Sequence, residues 1–186
     1  MSWNLVGLCD VPLVPWRNGG GVTRVLAAWP DGDDWLWRMS VAEVTQDGPF
    51  SRFDGVQRWF AVLSGAGVRL HMPDGTQDLS ADSAPVCFDG ALPVECRLRD
   101  GATQDFNLML RRERASGCMR RVSGASSVIL STTQIVAAYP VGTPASVRFD
   151  DEIMSLEPDT LVWRQCAAGT RLQLQSGPAL WMEINL

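Results

Sequence analysis

The sequence predicts an all-β fold, a set of short antiparallel strands arranged as a sandwich or barrel. Three observations carry that expectation. Apolar and polar residues alternate with period two along most of the chain, and no stretch shows convincing helical periodicity. Turn signals recur at short intervals: Pro30-Asp31-Gly32, Asp47-Gly48-Pro49, Pro73-Asp74-Gly75, Asp89-Gly90, Asp100-Gly101 and Ser176-Gly177-Pro178. The chain also repeats itself. At an offset of 77 residues, Gly65 falls on Gly142, Asp74 on Asp151, Leu79 on Leu156 and Asp82 on Asp159. The segments VLSGAGVRLHMPDGTQDLSADSAPV and AYPVGTPASVRFDDEIMSLEPDTLV each read strand, glycine turn, strand, L-x-x-D-S/T, strand. That order, given twice, describes two β-barrel halves in one chain.

Taken in order, the N-terminal stretch is interrupted by Asn4, Asp10 and two prolines and lacks a basic leader, so no signal peptide is expected. The run Trp35–Ala42 places Trp35, Trp37, Met39 and Val41 on one face and Leu36, Arg38, Ser40 and Ala42 on the other. Arg58–Leu63 is apolar on both faces apart from Arg58, the signature of a central strand. Asp105–Arg111 alternates cleanly, with Asp105, Asn107, Met109 and Arg111 opposite Phe106, Leu108 and Leu110. Further strands are expected at Ser127–Ser131, Ile135–Tyr139, Ser146–Phe149, Thr160–Arg164, Arg171–Gln175 and Leu180–Asn185. The Arg-, Gly- and Ser-rich region 111–126 reads as a linker between the halves.

Composition narrows the chemistry. The chain has 186 residues, 46% hydrophobic and 20% charged, an ordinary globular profile with room for a sizeable core. A net charge of −5 argues against general nucleic-acid binding, which needs a basic footprint to displace phosphate counterions. All 16 basic residues are arginine. Without lysine there is no Schiff base, no lysine-bound pyridoxal phosphate and no P-loop lysine. The single histidine, His71, excludes a multi-histidine metal site built from this chain alone, so no metal and no cofactor is expected. Five scattered cysteines without C-x-x-C spacing point to neither a disulfide scaffold nor a zinc site. No apolar run approaches the roughly 18 residues of a membrane span, and a reduced, cytoplasmic setting is expected.

The densest local signal is Trp16-Arg17-Asn18-Gly19-Gly20-Gly21-Val22-Thr23-Arg24. Three glycines permit close backbone approach, and the guanidinium of Arg17 with the amide of Asn18 can hold a planar carboxylate. Read more plainly, the glycines make a flexible loop. Arg58 and Arg38 each sit on a strand face among apolar or small neighbours, either snorkelling at a sheet end or buried against an anion. Several arginines on strands of one barrel could line a pocket, with Asp105 or Glu43 holding an arginine in place. His71 stands near Ser64 and Asp74 in sequence, but proximity along a chain does not make a hydrolase triad. The arginines between Arg111 and Arg121 read as a solvated linker, with docking of an acidic partner as the other reading.

The segments PWRNGGGVTR (Pro15–Arg24), WRMSVA (Trp37–Ala42), GPFSRFDGVQR (Gly48–Arg58), Leu63-Ser64-Gly65 and DFNLMLRR (Asp105–Arg112) together resemble the HutD/Ves family, in its order and spacing over the first 110 residues. The resemblance implies a bicupin, two small β-barrels of jelly-roll type in one chain. Residues 1–110 would form the N-terminal cupin barrel, 111–126 the linker and 127–186 a C-terminal cupin half completed by N-terminal strands. It further implies a metal-free regulator of bacterial histidine utilisation that binds a small carboxylate: urocanate, formiminoglutamate, formylglutamate or formate. Carried onto this chain, the pocket would draw on Arg17, Asn18, Thr23, Arg38, Ser40, Phe50, Ser51, Arg58, Asp105 and Asn107. The sequence departs from the family at Val25, where glutamate commonly follows Thr-Arg, and at Asp54, where proline is usual. The competing expectation is a metal-independent cupin enzyme, an isomerase or hydrolase of a small acid or sugar with Glu43, Asp105 or His71 as base. The chain is expected as a monomer or homodimer, without nucleic-acid or membrane partners.

Overall fold

A computed structural model describes residues 2–150 and 152–186. Asp151, matched to Asp74 in the repeat, lies outside them. Among the described residues the fold is all-β, with one three-residue 3-10 turn at Leu8–Asp10 and no helix long and apolar enough to cross a membrane.

The chain divides into two compact units. The first strand, β1 (Asn4–Gly7), belongs to the later, C-terminal unit, where it pairs antiparallel with the strand at 160–166. The N-terminal unit, Val11–Ala115, has two sheets. One contains β2 (Val14–Pro15), β3 (Gly21–Trp29), β4 (Trp37–Val44), β6 (Val56–Ser64), β9 (Val86–Asp89) and β11 (Thr103–Arg111), in the order β2-β3-β4-β11-β6-β9. The other contains β5 (Gly48–Pro49), β7 (Val68–Met72), β8 (Gly75–Leu79) and β10 (Glu95–Leu98), in the order β5-β10-β7-β8. The two sheets enclose a core of Val44, Phe50, Phe60, Val62, Val68, Leu70, Leu79, Val94 and Cys96. The alternation read from the sequence sends these side chains inward.

The C-terminal unit is one seven-stranded sheet curled as a half-barrel. Besides β1 it holds β12 (Ser116–Ile129), β13 (Gln134–Pro140), β14 (Ala145–Phe149), β15 (Glu152–Leu156), β16 (Thr160–Cys166) and β17 (Arg171–Asn185). Its inner face packs Val136, Ala138, Val147, Leu156, Val162, Leu172, Leu174 and Trp181 into one cluster. The pairing explains the sequence repeat. β6 and β13 occupy matching places, each followed by a positive-φ glycine, Gly65 or Gly142, and then by a hairpin, β7–β8 or β14–β15. The long β17 pairs with β14 through its first part and with β13 through its second, as β10 pairs with β7 and β11 with β6.

Two expectations are corrected here. Ser176-Gly177-Pro178 is not a turn, because β17 runs through it. Gly177 and Pro178 oppose the bulge between Val122 and Gly124 of β12 and fall between the stretches paired to β13 and β14. A residue without an N–H is tolerated there because no ladder bond is required. Residues 116–126 are not a linker but most of β12, paired with β17 along its length. Its polar composition is that of an outer strand with one face to solvent, so composition alone misreads it. The two compact units meet at 10/11 and 115/116.

Candidate functional site: an arginine-lined cavity in the N-terminal unit

Three cross-strand rows of the larger N-terminal sheet build the site. The outermost row is Ala28–Arg38–Met109–Arg58–Phe88, the next Val25–Ser40–Asn107–Phe60–Val86, and the deepest Thr23–Ala42–Asp105–Val62. All of these residues share a face because paired residues of antiparallel strands point the same way. The rows open into a cavity of about 240 Å³ lined by Trp16, Thr23, Val25, Arg38, Ser40, Phe50, Ser51, Phe53, Arg58, Asn107 and Met109, with Val14 and Ala42 completing the wall.

Arg58 is the centre of this wall. It is 6% exposed, and its Nε donates to Asn107 Oδ1 at 2.9 Å. Its guanidinium carbon lies 4.3 Å from the Phe50 ring centroid, 5.6 Å from Phe88 and 5.9 Å from Phe60. Burial lowers its pKa to about 10, helped by repulsion from Arg38 and opposed by Asp105, so it stays charged at neutral pH. Arg38 stands over Trp35 at 5.1 Å and Phe53 at 5.3 Å, and its Nη2 donates to the Met109 sulfur at 3.3 Å. Its buried Nε has no hydrogen-bond partner. Burial, with Arg111 adding repulsion, lowers its pKa as well. No lining residue is acidic, and Val25 stands on the wall where the family resemblance leads one to expect glutamate. Two guanidiniums therefore face an apolar cavity with no carboxylate on its surface. Such a site attracts an anion, and a planar oxyanion best matches the guanidinium fork.

Seven of the ten residues expected from the sequence converge on the cavity: Thr23, Arg38, Ser40, Phe50, Ser51, Arg58 and Asn107. Arg17 and Asn18 do not. They occupy the exposed tip of a hairpin in which Trp16 N donates to Gly21 O and Asn18 Oδ1 accepts from Gly20 N at 3.1 Å. The glycines serve that hairpin: Gly19 has φ +71°, and a Cβ on Gly21 would press into the Glu43 carbonyl. Asp105 lies beneath the cavity, fully buried, with Oδ2 accepting from Thr103 Oγ1 at 2.9 Å and Oδ1 without a partner. Burial raises its pKa to about 7, against the pull of the Thr103 hydrogen bond and of Arg58. The residue that holds Arg58 in place by a hydrogen bond is thus Asn107 rather than Asp105. Glu43 and His71 lie off this face, His71 Nδ1 meeting Thr76 Oγ1 at 3.1 Å.

The sequence reading missed Val14, Trp16, Val25, Ala42, Phe53 and Met109 on the wall. Met109 was within reach, since it follows Asp105 and Asn107 at period two. Val25 was not, because a bulge between Val25 and Ala27 breaks the alternation of β3. The donor set does not suit a divalent metal: the cavity lining offers guanidiniums, an amide and hydroxyls, and among the described residues no group of three His, Cys, Asp or Glu converges.

Fold and site together define a cupin-like protein with a cationic cavity. The oxalate decarboxylase of Lactobacillus farciminis superposes with a TM-score of 0.68 at 8% identity, covering 99% of this chain and 86% of that one, a likeness of fold alone. The chain belongs to the HutD family, whose model matches residues 9–182. HutD from Pseudomonas fluorescens SBW25, solved in a formate condition, superposes with a TM-score of 0.86 at 28% identity over 99% of this chain and 98% of its own. An uncharacterised 21.2 kDa protein from the hutC 3′ region of Pseudomonas putida is 39% identical over 133 residues, 65% of this chain and 68% of that protein. The protein Ves of Cronobacter sakazakii is 29% identical over 94% of both chains.

Proposed function

We propose that the protein is a metal-free bicupin that binds a small carboxylate in the N-terminal cavity and serves the regulation of histidine utilisation. The observation that carries this reading is Arg58, buried, charged and held by Asn107, in a cavity that presents no acidic side chain. Arg58 and Arg38 supply charge-assisted bonds, Ser40, Ser51 and Asn107 directional ones, and Phe50, Phe53 and Trp16 the apolar wall. Urocanate, formiminoglutamate, formylglutamate and formate all fit this chemistry, and the link to histidine utilisation rests on family membership. Asp105, the carboxyl that burial raises to about 7, lies beneath the cavity with no exposed surface rather than on its lining, which supports binding over an isomerase or hydrolase.

Calorimetric titration of the chelator-treated protein with these four acids tests the reading. Saturable binding of one of them, weakened at least about 100-fold in Arg58→Ala, is expected from the loss of a buried charged partner. Equal affinity in the variant would place the ligand elsewhere. The fold of Arg58→Ala is checked by circular dichroism, so that loss of binding is not loss of structure.

A further inference from the structure

The anion site and the buried carboxylic acid share one wall, and that arrangement has a thermodynamic consequence. Asp105 lies on β11 four residues from Met109, the cross-strand partner of Arg58, with Asn107 between them on the same face. It has no solvent contact, and its Oδ1 has no protein partner. Its charged and titratable neighbours on the packed elements are few. From β6 comes Arg58, whose charge favours the carboxylate. From β10 comes Cys96, a thiol that burial, together with Asp105 and Asp47, pushes up to about 12, so it is neutral. From β4 comes Arg38, two rows away, which acts on Arg58 rather than on Asp105. The ionised form of Asp105 therefore depends on Arg58 and on the Thr103 hydroxyl.

We propose that the cavity takes up a proton together with its anion, with Asp105, two rows below Arg58 on the same sheet face, as the proton acceptor. This rests on the carboxylate reading above. An anion seated on Arg58 competes for the same positive charge and adds repulsion, so the Asp105 carboxylate loses its support and takes a proton from solvent. The balance is one ligand anion and one proton bound for each Asp105 that passes from carboxylate to neutral acid. Asp105 titrates near neutrality in the free protein, so the exchange falls within the physiological range. The sign is fixed: binding favours the protonated form, so affinity for a permanently ionised ligand falls as pH rises through neutrality. For an upward shift of about one pH unit on binding, linkage gives a roughly fivefold loss of affinity between about pH 6 and pH 8, with uptake of about 0.4 proton per ligand near pH 7. Asp105 thereby sets which ligands gain: anions couple to the proton, and neutral analogues do not.

The test is calorimetric titration with formate and with formylglutamate, neither of which titrates in that window, in buffers of different ionisation enthalpy. The expected result is proton uptake in the unaltered protein and a pH-independent affinity with no uptake in Asp105→Asn, which keeps the size of the side chain and an acceptor for Thr103. The carboxyl carbon-13 resonance of Asp105 should titrate at higher pH when formate is present. Binding heat without uptake in the unaltered protein overturns this proposal while leaving the carboxylate reading intact. Uptake that persists in Asp105→Asn overturns the assignment to Asp105. Absence of binding by either acid at any pH, together with no binding of urocanate or formiminoglutamate, removes the carboxylate reading and this proposal with it.

Discussion

The two units handle polar groups on their inner faces in opposite ways. Where β6 and β11 carry Arg58, Phe60, Val62, Asp105, Asn107 and Met109, β13 and β17 carry Gln134, Val136, Ala138, Ala179, Trp181 and Glu183. In the C-terminal unit the carboxylate is compensated on the spot: Glu183 accepts from Trp181 Nε1 at 2.9 Å and Gln134 Nε2 at 3.2 Å, and pairs with Arg120. The rest of that face carries aliphatic side chains and Trp181, with Arg164 stacked over Phe149 at 3.9 Å and a small cavity of about 100 Å³ beside Trp181. In the N-terminal unit two guanidiniums remain without a carboxylate partner beside open space. Around Glu183 the charge is answered by hydrogen bonds and an ion pair, whereas Arg38 and Arg58 present charge of one sign to the larger cavity. The contrast separates stability from function on one architecture.

The largest effect that would sharpen this contrast is on stability. Trp181→Ala empties a packed site in which the indole is 4% exposed, and should cost about 3–5 kcal/mol in urea titrations. Phe53→Ala should cost less than half as much, because the half-buried side chain already borders a cavity of about 240 Å³, larger than the space of about 100 Å³ beside Trp181. Equal costs would mean that the cavity wall is packed as tightly as the filled face, and the comparison would fail.

The second effect is smaller and depends on pH. Burial raises the folded-state pKa of Asp105 to about 7, well above its unfolded value. Between the two values the folded state holds more protons than the unfolded chain, so this group's contribution to stability is complete at low pH and is lost as pH rises through about 7. Asp105→Asn should match the parent protein near the unfolded carboxylate pKa and exceed it at pH 8 and above by on the order of a few kcal/mol. Thermal melts across that range check it. A constant difference between the two proteins at all pH values would show that Asp105 does not titrate differently on folding.

How much of this was legible in the sequence depends on what each residue type signals locally. Arg58 announced itself as the one charge in an apolar run, and Arg38 and Ser40 as the polar face of a strand whose other face is Trp37, Met39 and Val41. Alternation carried the strands at Val56–Ser64 and Thr103–Arg111 to within about two residues of their ends. The glycine triplet misled, because the same residues that permit ligand approach also make a tight hairpin, and only the close approach of Gly21 to Glu43 decides between the two. β12 was hidden by its composition, since a long outer strand needs alternation only on the side it buries. The uncompensated charge of the cavity is a property of the pairing of β4, β11 and β6, and no local pattern encodes it.

The smallest effect reaches the same carboxylate through its one hydrogen bond. Thr103 Oγ1 donates to Asp105 Oδ2 within the buried wall, and that bond favours the ionised form. Thr103→Val keeps the shape of a 3%-exposed side chain and removes the donor. The Asp105 pKa should then rise further, by up to about one unit for a single lost hydrogen bond to a charged acceptor. Proton uptake on formate binding near pH 7 should fall, because Asp105 already holds its proton before the anion arrives, while the window of pH-dependent affinity moves upward by the same amount. Arg58 and Asn107 are untouched, so affinity at low pH should remain that of the parent protein. An unchanged window would mean that the hydroxyl bonds the neutral acid as well as the carboxylate, and that Arg58 alone holds Asp105 within the neutral range.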